Sequence, residues 1–259
     1  MASHFSDIGF VVASSDDLVA FARALPPDTH ADATPFGHYL RWSPGSGAEF
    51  WFQIDLEHHL VGANPHFDAM TPTRVRLTAR ETSPTHPLDG GFHLWLDPQP
   101  IDPADGDAGV GATPLLVDVP DFRLHDALVL PIDVDLAIAA FAHTFESHPT
   151  EEAFRATGSK MATESLIPSG LFAPGGAVTV PPRAEAILYG HVEATEVRTN
   201  PTSGLEFIWC RVQTYGGKLE IVADRTLAAE LPVVGGIVGG SFWLSARLAA
   251  DGQWLPATQ

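Results

Sequence analysis

Two carboxylates and one imidazole make a ligand set that suits a divalent cation, and Asp7, Glu49 and His93 stand where strand alternation would point them into one hollow. Asp7 lies in F-S-D-I-G-F-V-V, which reads as an opening strand with an acid in its middle. Ile8, Phe10 and Val12 then share the face toward a following helix, and Asp7 turns to the other. In G-A-E-F-W-F-Q-I the apolar Phe50, Phe52 and Ile54 go inward and leave Glu49, Trp51 and Gln53 opposite. The stretch G-F-H-L-W-L repeats that division with His93 and Trp95, which suggests a duplicated half-module in which Glu49 corresponds to His93 and Trp51 to Trp95. Asp7, Glu49, Trp51, Gln53, His93 and Trp95 are therefore the candidate pocket residues, with Asp7, Glu49 and His93 the candidate metal ligands. The competing reading is structural: Asp7 bonds nearby backbone, and Glu49 and His93 are ordinary exposed strand residues.

Other chemistry is poorly represented. His58, His59 and His66 gather in E-H-H-L-V-G-A-N-P-H without the H-E-x-x-H spacing of a zinc helix, so adventitious nickel binding is the better account. Ser169 in I-P-S-G-L lacks the G-x-S-x-G elbow that presents a serine nucleophile. There is no P-loop, no G-x-G-x-x-G after a strand and no C-x-x-C. Cys210, the single cysteine, sits in the apolar run F-I-W-C-R-V, where a buried, inert thiol is expected.

The elements that would position these residues are mostly strands. The 22 prolines and 23 glycines favour short strands and turns over long helices. One helix is well marked: Ser14 or Ser15 caps it, Asp16 and Asp17 favour its positive end, and Leu18, Phe21, Ala22 and Leu25 recur at helical spacing before Pro26 and Pro27. Strands follow at 36–42, 48–56, 74–80, 92–96 and 115–119, with an exposed, Pro-, Gly- and Asp-rich loop at 97–114. The segment from Leu128 to Phe145 is open between strand and helix, and its alternation favours strand. A short helix capped by Thr150 precedes the irregular S-L-I-P-S-G-L-F-A-P-G-G. Beyond Arg183 come four strands, with glycines at 235, 236, 239 and 240 that permit sharp bends.

A formal charge of -18 disfavours nucleic acid and anionic membranes as partners. Residues 183–259 contribute only -2 of it, six basic against eight acidic side chains, so the acidity belongs to the first 182 residues. The longest apolar run, L-P-V-V-G-G-I-V-G-G-S-F-W-L, is short and glycine-broken, and no basic n-region opens the chain. A cytoplasmic protein is expected.

The D-I-G-F-V-V strand, its helix and G-A-E-F-W-F resemble the half-module of the vicinal oxygen chelate superfamily, the glyoxalase and bleomycin-resistance group. That resemblance implies a cupped β-α-β-β sheet, with Asp7 where the family has a metal-binding His and Glu49 as the other ligand. The C-terminal strands, with Tyr189, Trp209, Tyr215 and Trp243, resemble an OB-fold barrel, although without the basic groove that binds single strands. N-P-H-F, I-P-S-G-L-F and G-S-F-W-L-S also look like a bacterial family with this two-part layout, to which no activity is attached. The expected fold is α+β and mostly β: a vicinal oxygen chelate-like region over 1–120, a connecting segment over 121–182 and an OB-like barrel over 183–259. The leading functional expectation is a non-catalytic binding protein without cofactor, receiving a protein or small molecule. The alternative is a metal-dependent lyase, isomerase or dioxygenase using a divalent ion.

Overall fold

A computed structural model describes residues 4–26, 29–100, 110–171 and 181–248. Half of the loop expected at 97–114, and the end of the irregular stretch after Leu171, fall outside those residues. The chain is mostly β, a closed eight-strand barrel with a separate four-strand sheet against it. Among the described residues no helix is long and apolar enough to cross a membrane.

The opening strand does not form. Ser6–Ile8 is a single 3-10 turn that ends at Gly9, whose φ of 77° suits a residue without Cβ. Side chains from a distant loop take up its carbonyls: Asn200 Nδ2 donates to Ile8 O at 2.8 Å, and Ser203 Oγ donates to Gly9 O. With those acceptors satisfied, the segment needs no strand partner, and Phe5, Ile8 and Phe10 are free to pack into the core. Helix α1, Ser15–Arg23, follows as its capping residues require: Asp17 N–H donates to Ser14 Oγ, and the Asp17 carboxylate accepts from Ser14 N–H.

Four antiparallel strands come next in simple order: β1 (Ala31–Thr34), β2 (Gly37–Gly45), β3 (Ala48–Ile54) and β4 (Leu60–Phe67). Six of the seven residues of β3 are buried, so both faces of this sheet are covered. Phe50 and Phe52 pack with Phe5, Phe10 and Phe21 on one face, as alternation requires. The other face carries Glu49, Trp51 and Gln53 against the barrel, where buried polar groups need partners.

The barrel is built from β5 (Pro72–Thr82), β6 (Gly90–Pro98), β7 (Gly111–Asp118), β8 (Ile132–Ala142), β11 (Glu185–Thr199), β12 (Glu206–Thr214), β13 (Gly217–Asp224) and β14 (Ile237–Arg247). They close in the order β11-β12-β13-β8-β5-β6-β7-β14, with β14 returning to β11. The short strands β9 (Glu146–His148) and β10 (Ser165–Ile167) add to β14 and β11, and helix α2 is Glu151–Ala156 under its Thr150 cap. Alternate residues fill the interior, among them Leu94, Val117, Leu136, Val212, Ile221 and Leu244.

Strands on both sides of the expected boundaries at 120 and 182 belong to this one ring, because β8 pairs with β5 and β13 while β14 pairs with β7, β8 and β11. The Leu128–Phe145 segment supplies a strand, β8, and its even-numbered residues from Ile132 to Ala142 face the barrel interior. The supposed half-module repeat does not occur, since β3 lies in the four-strand sheet and β6 in the barrel. In β14 a Cβ on Gly240 would stand 2.1 Å from the Thr144 carbonyl oxygen, so that crossing demands glycine.

Candidate functional site

Between the outer wall of the barrel and the four-strand sheet lies a cavity of about 240 Å³. Because Leu115, Val117, Phe242 and Leu244 fill the barrel, alternation turns Leu116 and Asp118 of β7 and Trp243 and Ser245 of β14 outward into that space. Asn64 of β4 faces them, and Glu81 and Asp89 come from the β5–β6 hairpin. The strands that bear Leu116, Asp118, Trp243 and Ser245 are held in place by barrel closure.

Asp118 is the most perturbed acid of the site. Burial raises its pKa to about 6, the negative charge of Asp89 adds to the rise, and the hydrogen bond donated by Trp243 Nε1 opposes it. Asp89 is fixed differently: its Oδ1 accepts from Gln53 Nε2 and from Asn64 Nδ2 at 3.0 Å. Among the described residues, Asp118 Oδ1 and Asp89 Oδ2 accept no hydrogen bond. The Trp243 indole stacks on His4 at 5.3 Å and packs against Phe141 at 4.9 Å, so it enters the cavity by its N–H edge.

Behind Ser245 runs a buried polar seam that joins sheet to barrel. His66 Nδ1 lies 2.8 Å from Ser245 Oγ. Burial, reinforced by the positive charge of Arg247, lowers the His66 pKa to about 3, so the ring is neutral at physiological pH. Glu49 is fully buried and accepts from the Arg41 guanidinium and from Trp51 Nε1, with Arg247 Nη1 3.7 Å away. The Arg41 and Arg247 guanidiniums lie 5.7 and 5.0 Å from the Trp51 ring centroid. Arg247 also pairs with Asp121 at 3.7 Å. Burial works to raise the Asp121 pKa but is outweighed by the hydrogen bond from His125 and the charges of His125 and Arg247, which hold it below the usual range.

The six residues singled out from sequence are dispersed by the fold. Glu49 and Trp51 belong to the seam, where they hold the sheet to the barrel. Gln53 reaches the cavity indirectly, by fixing Asp89. His93 faces outward on β6 and meets Glu81, its Nε2 3.1 Å from Oε2. Trp95, on the same outward side of β6, lies in register between Arg76 and Pro114. Asp7 is buried, as His4 Nδ1 lies 2.8 Å from its Oδ2 and the Asp224 backbone N–H donates to its Oδ1 at 2.8 Å. It therefore ties the chain's beginning to β13 and does not face a hollow. Burial raises its pKa against the opposing effect of His4.

The set Asp7, Glu49 and His93 does not fit a metal ion, because each spends its polar atoms on different neighbours. Among the described residues no group of three or more His, Cys, Asp or Glu side chains is placed to hold one. The residues that do converge, Asp118, Asp89, Asn64, Trp243 and Ser245, were not singled out from sequence. One clue was available: Asp118 in L-L-V-D-V-P is a lone acid on an otherwise apolar strand. The chain matches no family model, no curated protein and no solved structure.

Proposed function

We propose that the protein is a non-catalytic binding protein whose ligand is a small molecule seated between the four-strand sheet and the barrel. The observation that carries this reading is Asp118, a largely buried carboxylate with a raised pKa, one oxygen of which lines a cavity of about 240 Å³ without a protein donor among the described residues. Trp243 holds one oxygen of this carboxylate, and its other oxygen is open to whatever occupies the cavity. The buried lone thiol Cys210, its pKa pushed up to about 12 by burial, is consistent with a reducing, cytoplasmic setting.

The test is a small-molecule library followed by thermal melting, with Thr82→Trp as the control. Thr82 is exposed at the cavity rim, so a tryptophan there obstructs entry without disturbing the core. Compounds that raise the melting temperature of the native protein and not of the Thr82→Trp variant support the reading. A library without any such compound overturns it.

A further inference from the structure

We propose that the ligand is a compact protonated amine, its ammonium held between the free oxygens of Asp118 and Asp89; the proposal rests on the small-molecule reading of the same cavity. Charge is the first argument. Glu81, Asp89 and Asp118 line the cavity, and among the described residues no lysine or arginine does. Neighbouring cations are engaged elsewhere: Arg247 with Glu49 and Asp121, Arg41 with Glu49, and Arg183, next to the lining Pro182, with Glu185 at 3.1 Å. Two carboxylates facing a half-enclosed space raise each other's energy, and a monocation between them removes that cost.

Geometry narrows the cation. A tightly held calcium or zinc ion draws several of its ligands from the protein, and no group of three acidic, His or Cys side chains stands ready among the described residues. A quaternary ammonium prefers the faces of aromatic rings. The Trp243 ring is covered by His4 and Phe141, and its N–H is already donated to Asp118. What the cavity offers is hydrogen-bond acceptors, namely Asp118 Oδ1 and Asp89 Oδ2, which call for N–H donors. An ammonium bearing hydrogens supplies both the charge and the donors.

The proton on Asp118 links binding to pH. Among the described residues, the charged groups lining its cavity are Asp89 and Glu81 from the β5–β6 hairpin; His66 of β4 is neutral, Arg247 lies two residues beyond Ser245 on β14, and Arg183, beside the lining Pro182, pairs with Glu185. An ammonium stabilises the ionised carboxylate, so binding below pH 6 must expel a proton. With a midpoint of about 6, the affinity falls about tenfold from pH 7 to pH 5, with about 0.9 proton released per ligand at pH 5.

Isothermal titration calorimetry with n-butylammonium, n-butanol and tetramethylammonium tests this. The native protein is expected to bind n-butylammonium at pH 7 at least tenfold more tightly than either control, and about tenfold more weakly at pH 5. Asp118→Asn is expected to lose at least tenfold in affinity together with the pH dependence. Should that variant fail to fold, Asp89→Asn is expected to show the same tenfold loss. Absence of n-butylammonium binding, equal binding of n-butanol, or affinity independent of pH would each overturn the proposal. The two readings fail separately: a neutral compound that binds the native protein and is shut out by Thr82→Trp rejects the amine and keeps the cavity, whereas a library with no cavity-dependent compound rejects both.

Discussion

Replacing Asp118 by asparagine is predicted to make the unliganded protein more stable at neutral pH. The carboxyl titrates at about 6 in the folded protein against an ordinary 3.8, a gap of about 2 units. At about 1.4 kcal/mol per unit the upper limit is near 3 kcal/mol, and the partial exposure of the side chain lowers it to roughly 2 kcal/mol. The sign follows from the raised value. Folding favours the protonated acid, so that advantage is complete below about pH 4 and is lost as pH rises through about 6. Above that the ionised carboxylate is a burden that asparagine lacks, while the amide oxygen still accepts the Trp243 N–H. Urea unfolding of both proteins from pH 4 to 8 measures the difference directly, because every other titrating group cancels. The stability of Asp118→Asn relative to the native protein should rise from near zero at pH 4 to roughly 2 kcal/mol at pH 7. A variant no more stable than the native protein at pH 7, with a flat pH difference, would refute the claim that Asp118 is desolvated.

The seam and the core thiol yield two further expectations. Glu49→Ala removes the acceptor of Arg41 and Trp51 and leaves the Arg247 guanidinium, 10% exposed, with only Asp121 and Asp68 nearby. A cost of about 3–5 kcal/mol in urea unfolding is expected, and a cost under about 1 kcal/mol would mean that Glu49 does not join the two layers. Cys210, buried and with its pKa pushed up to about 12, should resist iodoacetamide at pH 8 until the protein is unfolded; rapid labelling of the native protein would contradict its place inside the barrel.

Local features of this chain were legible in its sequence and long-range ones were not. The Ser14–Asp17 capping box, the alternation of β3 and β8 and the Thr150 cap depend on neighbours within a few residues, and they appear where the pattern places them. Asp7 shows how such reading fails. D-I-G-F-V-V has strand composition, but Asn200 and Ser203, almost two hundred residues away, satisfy its carbonyls and leave a single 3-10 turn. The sidedness of Glu49, Trp51 and Gln53 was correct, yet the face opposite the aromatic cluster meets the barrel wall and not an open cup. Beyond the lone acid Asp118, the cavity was not legible, since β6–β7 pairing sets Asp118 opposite Gly91, close to Asp89, and Trp243 arrives only when β14 closes the ring.

The protonation of Asp118 is the most direct test of the account. Carbon-detected NMR of its side-chain carboxyl across pH 3–8 should give a midpoint near 6, moving downward when n-butylammonium is present. A midpoint near the ordinary carboxylate value of about 4, unchanged by the amine, would mean that water already solvates the acid and that the cavity is not built to hold a ligand on it.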